Sequence, residues 1–100
     1  MYLAMNRFRI AHGRESDFEK LWRERDSHLE DVPGFRSFHL MRGPADDEGT
    51  LYASHTIWES AEDFRAWTES EAFKKAHRQA HAPEGTYLGR PVFEGFEMIL

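Results

Sequence analysis

Cysteine is absent from the 100 residues. Its absence removes disulfide frameworks, thiolate zinc sites, iron–sulfur clusters, thiolate-ligated metal cofactors and cysteine nucleophiles together. Long apolar runs are also missing, and nothing approaches the roughly 20 residues that a membrane span needs. The opening "MYLAMNRFRI" carries Arg7 and Arg9 where a signal peptide requires an unbroken apolar stretch, so a cytoplasmic protein is expected. A basic footprint is lacking too: 13 Lys and Arg against 18 Asp and Glu leave a formal net charge of −5, and nucleic-acid binding is not expected.

Aromatics, by contrast, make up 14% of a chain that is also 31% charged. A chain this short buries a smaller fraction of its surface than a larger one does. One domain over residues 1–100 is therefore expected, with a partner helping to complete its core and some aromatics lining a pocket or an interface. No internal repeat or low-complexity tract interrupts it.

Hydrophobic periodicity orders the chain. From Tyr2 to Ala11 the residues alternate, with Tyr2, Ala4, Asn6, Phe8 and Ile10 on one face of a strand and Leu3, Met5, Arg7 and Arg9 on the other. Because Leu3 and Met5 are apolar, both faces of this sheet are expected to be covered at that end. Ser16 followed by Glu19 is a capping-box pattern for a helix with a stripe of Phe18, Leu21, Trp22, Arg25 and Leu29, stopped by "VPG" at 32–34. "FRSFHLMR" (35–42) and "TLYASHTIW" (50–58) predict two strands joined by the polar loop "GPADDEG" (43–49). Ser60 and Ser70 are placed to cap two short helices, "APEG" (82–85) breaks the second, and a last strand begins at Pro91. The resulting β-α-β-β-α-β order, with its second helix broken, predicts a ferredoxin-like α+β fold with helices on one face of an antiparallel sheet.

Within the second of those short helices, Phe73, Ala76, His77 and Ala80 share a face, and only His77 is polar. An inward imidazole is costly unless partnered, and it can serve as a base, a metal ligand, a haem ligand or a hydrogen-bonded core residue. Asn6 raises the same question between Ala4 and Phe8 on the buried strand face. Trp67 is positioned to enter the gap between helices and sheet that His77 and Asn6 face.

"MNRF" (5–8), "TIWESAEDFRAWTESEAFKKAH" (56–77) and the strand order resemble an IsdG-type or HmuQ-type haem-degrading monooxygenase of the antibiotic biosynthesis monooxygenase superfamily. The resemblance covers nearly the whole chain and places Asn6, Trp67 and His77 at that family's three functional positions. It departs from staphylococcal-type members between Ala82 and Pro91, where the connection is short. The resemblance implies a homodimer whose two sheets form an α+β barrel away from the helices, with haem in each helix–sheet gap. Haem would be cofactor and substrate, its ring opened with dioxygen and external electrons from a reductase to release iron and a biliverdin-type tetrapyrrole. On that pattern His77 ligates the iron, Asn6 is an uncharged hydrogen-bond donor toward dioxygen, Trp67 presses the macrocycle out of plane, and Phe73 joins these three in contacting haem.

Two alternatives stay open: a cofactor-free monooxygenase of the same superfamily acting on an aromatic or quinol-like substrate, and a non-catalytic haem-binding dimer. Lys74, Lys75 and Arg78 are candidates for propionate contacts beside the reading of solvated surface charge. His12 reads as a loop residue and His28 as a helix-end residue, while His39 and His55 are expected to pair on adjoining strands. A His77/His81 pair imitates a zinc site, but no glutamate follows His77 as "HExxH" demands.

Overall fold

The computed structural model describes residues 1–25, 28–79 and 82–100, with 78 and 79 described by their backbone alone. Strands β1 (Tyr2–Ala11), β2 (Phe35–Ala45), β3 (Gly49–Trp58) and β4 (Val92–Glu97) form an antiparallel sheet in the order β2-β3-β1-β4. Helix α1 (Glu15–Glu24) follows β1, while α2 (Ala61–Thr68) and α3 (Glu71–Gln79) lie between β3 and β4. This is the expected ferredoxin-like α+β order, with the second helix divided in two.

Alternation along β1 sends Ala4, Phe8 and Ile10 into the protein interior while Arg7 and Arg9 face solvent. Two separate cores form on that inner face. Phe8, Ile10 and Tyr52 of the sheet pack with Phe18 of α1, whereas Ala4 and Trp58 pack with Trp67 of α2. Ring contacts hold each core: Phe18 lies 4.9 Å from Tyr52, and Trp67 lies 5.6 Å from the fully buried Trp58.

Several boundaries differ from the expected ones. Helix α1 begins at Glu15, so Ser16 lies inside it and the Ser16–Glu19 capping box does not form. The Glu15 carboxylate instead accepts the Gly13 N–H at 2.7 Å, and Glu19 accepts a 2.5 Å bond from the Tyr52 hydroxyl. The helix ends at Glu24 rather than at "VPG", because Arg25 is extended (φ −70°, ψ 121°), and Leu29 opens a separate 3-10 turn, Leu29–Asp31. The hairpin loop is shorter than expected, since β2 continues to Ala45 and β3 starts at Gly49. Pro44 is tolerated because β2 is an edge strand. Asp46 closes the turn by accepting the Glu48 and Gly49 N–H groups at 2.8 and 3.0 Å. Gly49 itself has no room for a side chain, as a Cβ there would sit 2.2 Å from the Ile10 carbonyl oxygen. The last strand is also shorter than expected, running from Val92 to Glu97.

Candidate active site

Between the two cores lies a cavity of about 680 Å³, within the usual range of ligand pockets. Its floor includes a row across the sheet in which Ser54, Asn6 and Phe93 are register neighbours on β3, β1 and β4. Trp22 and Phe38, stacked 5.6 Å apart at 16°, form one wall. Trp67, Phe73 and His77 form the other.

Serine caps aim that second wall. Ser60 Oγ accepts the Asp63 N–H at 3.1 Å and starts α2, and Ser70 Oγ accepts the Phe73 N–H at 3.2 Å and starts α3. Ser70 Oγ also donates to the Trp67 carbonyl at 2.6 Å, which joins the end of one helix to the start of the next. The side chains beyond this joint form a continuous run, with Trp67 4.7 Å from Phe73 and Phe73 4.0 Å from His77 between ring centres. Behind Trp67, Trp58 is fixed by its Nε1–H donating to Thr56 Oγ1 at 2.8 Å. Trp67 Nε1 is buried and has no hydrogen-bond partner, so this residue contributes shape rather than polarity to the cavity.

The structure brings Asn6, Trp67, Phe73 and His77 to one cavity, as the sequence pattern requires. His77 differs from expectation in one respect: it lies on an exposed part of α3 and reaches an open cavity rather than a closed core. Its Nδ1 lies 3.0 Å from the Phe73 carbonyl, and in the tautomer that donates there the lone pair falls on Nε2. Partial burial pushes the His77 pKa below its ordinary value, the Phe73 carbonyl opposes that shift, and the Arg25 charge adds to it. His77 is thus held toward its neutral form, the form that ligates metals.

Arg25 is the functional candidate that the sequence pattern did not assign. Its guanidinium packs 4.8 Å from the Trp22 ring centre, and Nη2 lies 3.1 Å from His77 Nδ1 and 3.4 Å from Nε2. Its Nε is buried without a partner. The available signal was its place as the only polar member of the α1 stripe, the same signal that singled out His77. Tyr87 also lines the cavity, from the connection preceding β4, and burial raises its pKa with partial opposition from Arg25. No periodicity marks a residue in such a connection.

The other candidate cations lie elsewhere. Lys74 pairs with Glu71 at 3.8 Å, Lys75 is exposed, and neither lines the cavity. The Arg78 side chain and His81 fall outside the described residues. No carboxylate lines the cavity among the described residues. Its polar chemistry therefore consists of an imidazole, an amide, a guanidinium, a phenol and hydroxyls.

Residues 1–79 match the antibiotic biosynthesis monooxygenase family, and the chain belongs to it. Its relatives include the "heme oxygenase (mycobilin-producing)" of Mycobacterium tuberculosis, 30% identical over 96% of this chain and 87% of that protein. The "heme oxygenase (staphylobilin-producing)" of Staphylococcus haemolyticus is 30% identical over 78% of this chain and 74% of its own length. Among solved structures, the heme degrader MhuD of Mycobacterium tuberculosis with two hemes bound in its active site superposes with a TM-score of 0.75 at 30% identity, covering 100% of this chain and 97% of that one.

Proposed function

We propose that the protein is a haem-degrading monooxygenase that binds haem in this cavity and opens the porphyrin with dioxygen and electrons from an external donor. Iron and a biliverdin-type tetrapyrrole are the products. The observation that carries this reading is the His77 ring: its Nδ1 is committed to the Phe73 carbonyl, and its Nε2 lone pair is left for a ligand in the aromatic-walled cavity. The walls suit a flat apolar macrocycle, and the haem-degrading relatives support the same conclusion.

Haem is substrate as well as cofactor here, and its iron supplies the centre at which dioxygen is activated. His77 binds through Nε2 and is oriented by its bond to Phe73, as a metal-bound imidazole requires. Asn6 offers an amide N–H that hydrogen-bonds without readily giving up its proton. Trp67, braced by Trp58, gives the macrocycle a stiff surface to lie against. Phe73 fills the contact between Trp67 and His77.

We assign the other face of the sheet to a second copy. Leu3 and Phe96 are register neighbours on that face, and Phe96 and Val92 are exposed large apolar residues in the single chain. Leu3→Glu should weaken the dimer in sedimentation equilibrium by burying a charge, and a wild-type monomer at every concentration would remove it. A reductase partner and a cytoplasmic location complete the proposal, since the reaction draws on cellular electrons. Among the described residues no helix is long and apolar enough to cross a membrane. Finding the native protein outside the cytoplasmic fraction would remove that location.

Hemin titration tests the function. A Soret band that appears on mixing and decays under reductant and oxygen supports it. No band favours the cofactor-free monooxygenase, and a stable band under those conditions favours a haem-binding dimer without catalysis.

A further inference from the structure

Among the described residues, three polar ones are buried: Thr50, Ser54 and Thr86. Thr50 Oγ1 donates to the Glu15 carboxylate at 2.9 Å, and Thr86 Oγ1 donates to the Pro83 carbonyl at 2.6 Å. Ser54, with only 6% of its surface exposed, has no side-chain hydrogen bond to any described residue. Its Oγ is nevertheless not sealed off, and the opening it has is the cavity it lines. The threonines of that lining are engaged: Thr56 Oγ1 accepts from Trp58 Nε1 at 2.8 Å, and Thr68 Oγ1 donates to the Arg65 carbonyl at 2.7 Å. Ser54 is thus the unspent aliphatic hydroxyl of the cavity among the described residues.

Directly opposite Ser54 on β1 stands Asn6, half-buried, whose amide is also without a partner among the described residues. Both side chains line the cavity, on the helix side of the sheet, so a second copy against the other face leaves them in place. We propose that Ser54 and Asn6 form a two-point polar subsite on the cavity floor, which holds a water molecule in the haem-free chain and hydrogen-bonds a small oxygen- or nitrogen-containing ligand beside bound haem. Paired residues on one face of a sheet carry their Cβ atoms about 4.5–5.5 Å apart, close enough for one small molecule to touch both side chains. A buried water needs at least two polar partners, and this pair supplies them on a floor otherwise rich in aromatic surface. The hydroxyl donates and accepts, and the amide does both through separate atoms, so the pair suits a donor or an acceptor. Ser54 is a positioning residue in this arrangement: a second anchor fixes the direction of a ligand that Asn6 alone would leave free to turn.

Two readouts test the subsite, of which the first stands on the geometry alone and the second rests on the haem reading. In the haem-free chain, NMR should show magnetisation transfer from a bound water to the Asn6 side-chain amide protons. That contact should be lost in Ser54→Ala and kept in Ser54→Thr, which retains the hydroxyl. In the hemin-saturated chain the probe is azide, whose dissociation constant should rise about five- to tenfold in Ser54→Ala, the value of one hydrogen bond. Its infrared stretching band should shift in the same variant, and both should return toward wild type in Ser54→Thr. No water contact at Asn6 in the wild type, or azide affinity and stretching band unchanged in Ser54→Ala, would overturn the subsite. A wild-type chain that takes up no hemin would remove the haem reading instead, and the water contact then decides the subsite alone.

Discussion

Arg25 and His77 stand 52 residues apart in the chain, yet Arg25 Nη2 lies 3.1 Å from Nδ1 and 3.4 Å from Nε2 of the His77 ring. Nearly equidistant from the two ring nitrogens, Arg25 Nη2 lies beside the ring and not along the Nε2 lone pair, so what it brings to His77 is its charge. Arg25→Met preserves apolar contact with Trp22 and removes the donor and the charge. The His77 pKa should rise in this variant, because the Arg25 charge contributes to its lowering. An NMR titration checks this, and an unchanged His77 pKa would show that the contact has no electrostatic weight.

Asn6 and His77 separate by the stage at which each acts. His77→Ala should lose tight hemin binding, since no other imidazole lines the cavity among the described residues. Asn6→Ala should bind hemin and turn over at least about tenfold more slowly, as expected when an interaction matters more after oxygen binds than before. Equal rates for Asn6→Ala and wild type would reduce Asn6 to a satisfied amide of the cavity floor.

Trp67 is tested by comparing its shape with its packing. Trp67→Ala should lower stability by about 3–5 kcal/mol through the lost packing against Trp58 and Phe73. Trp67→Phe should retain the fold and hemin binding, while resonance Raman markers show a flatter macrocycle and degradation slows. A folded Trp67→Phe variant with planar haem and a native rate would confine this residue to the core.

The end of the sheet carries a pH-dependent tie. His12 lies between the Asp46 carbonyl and the Glu15 carboxylate, which raise its pKa above 6.5 in that order of importance. Glu15 is held down to about 2, first by its own backbone N–H and then by His12 and Thr50. A raised histidine pKa stabilises fully below 6.5, and that contribution disappears as the pH climbs through the folded value. A lowered carboxylate pKa stabilises above 4.5, and its contribution disappears as the pH falls from there toward about 2. His12→Ala should therefore lower Tm most between pH 4.5 and 6.5 and least in alkaline buffer. A Tm difference that grows with rising pH would reverse the sign and remove the tie.

Much of this architecture is legible in the chain because local chemistry and tertiary packing agree. The β1 alternation, the Ser60 and Ser70 caps and the α3 stripe each point to the element that forms. The α1 start is misread because two carboxylates compete for roles: Glu15 takes the helix entrance while Glu19 turns to Tyr52, a partner 33 residues away. The α1 end is misread because Arg25 continues the helical period in sequence while its backbone has already become extended. Asn6, Trp67 and His77 stand out as polar or bulky residues on otherwise apolar faces. The place of Arg25 against His77 depends on where the chain leaving α1 comes to lie against α3, which no single-element pattern encodes.

Consumption of the haem ring in the His77 cavity is read from a single turnover of the hemin complex under a reductant and oxygen, with chelatable iron and tetrapyrrole measured together against His77→Ala. The wild-type protein should release one iron for each haem lost and yield an open-chain tetrapyrrole, and the variant should do neither. Intact haem recovered from the wild-type reaction, or equal degradation in the variant, would contradict the account.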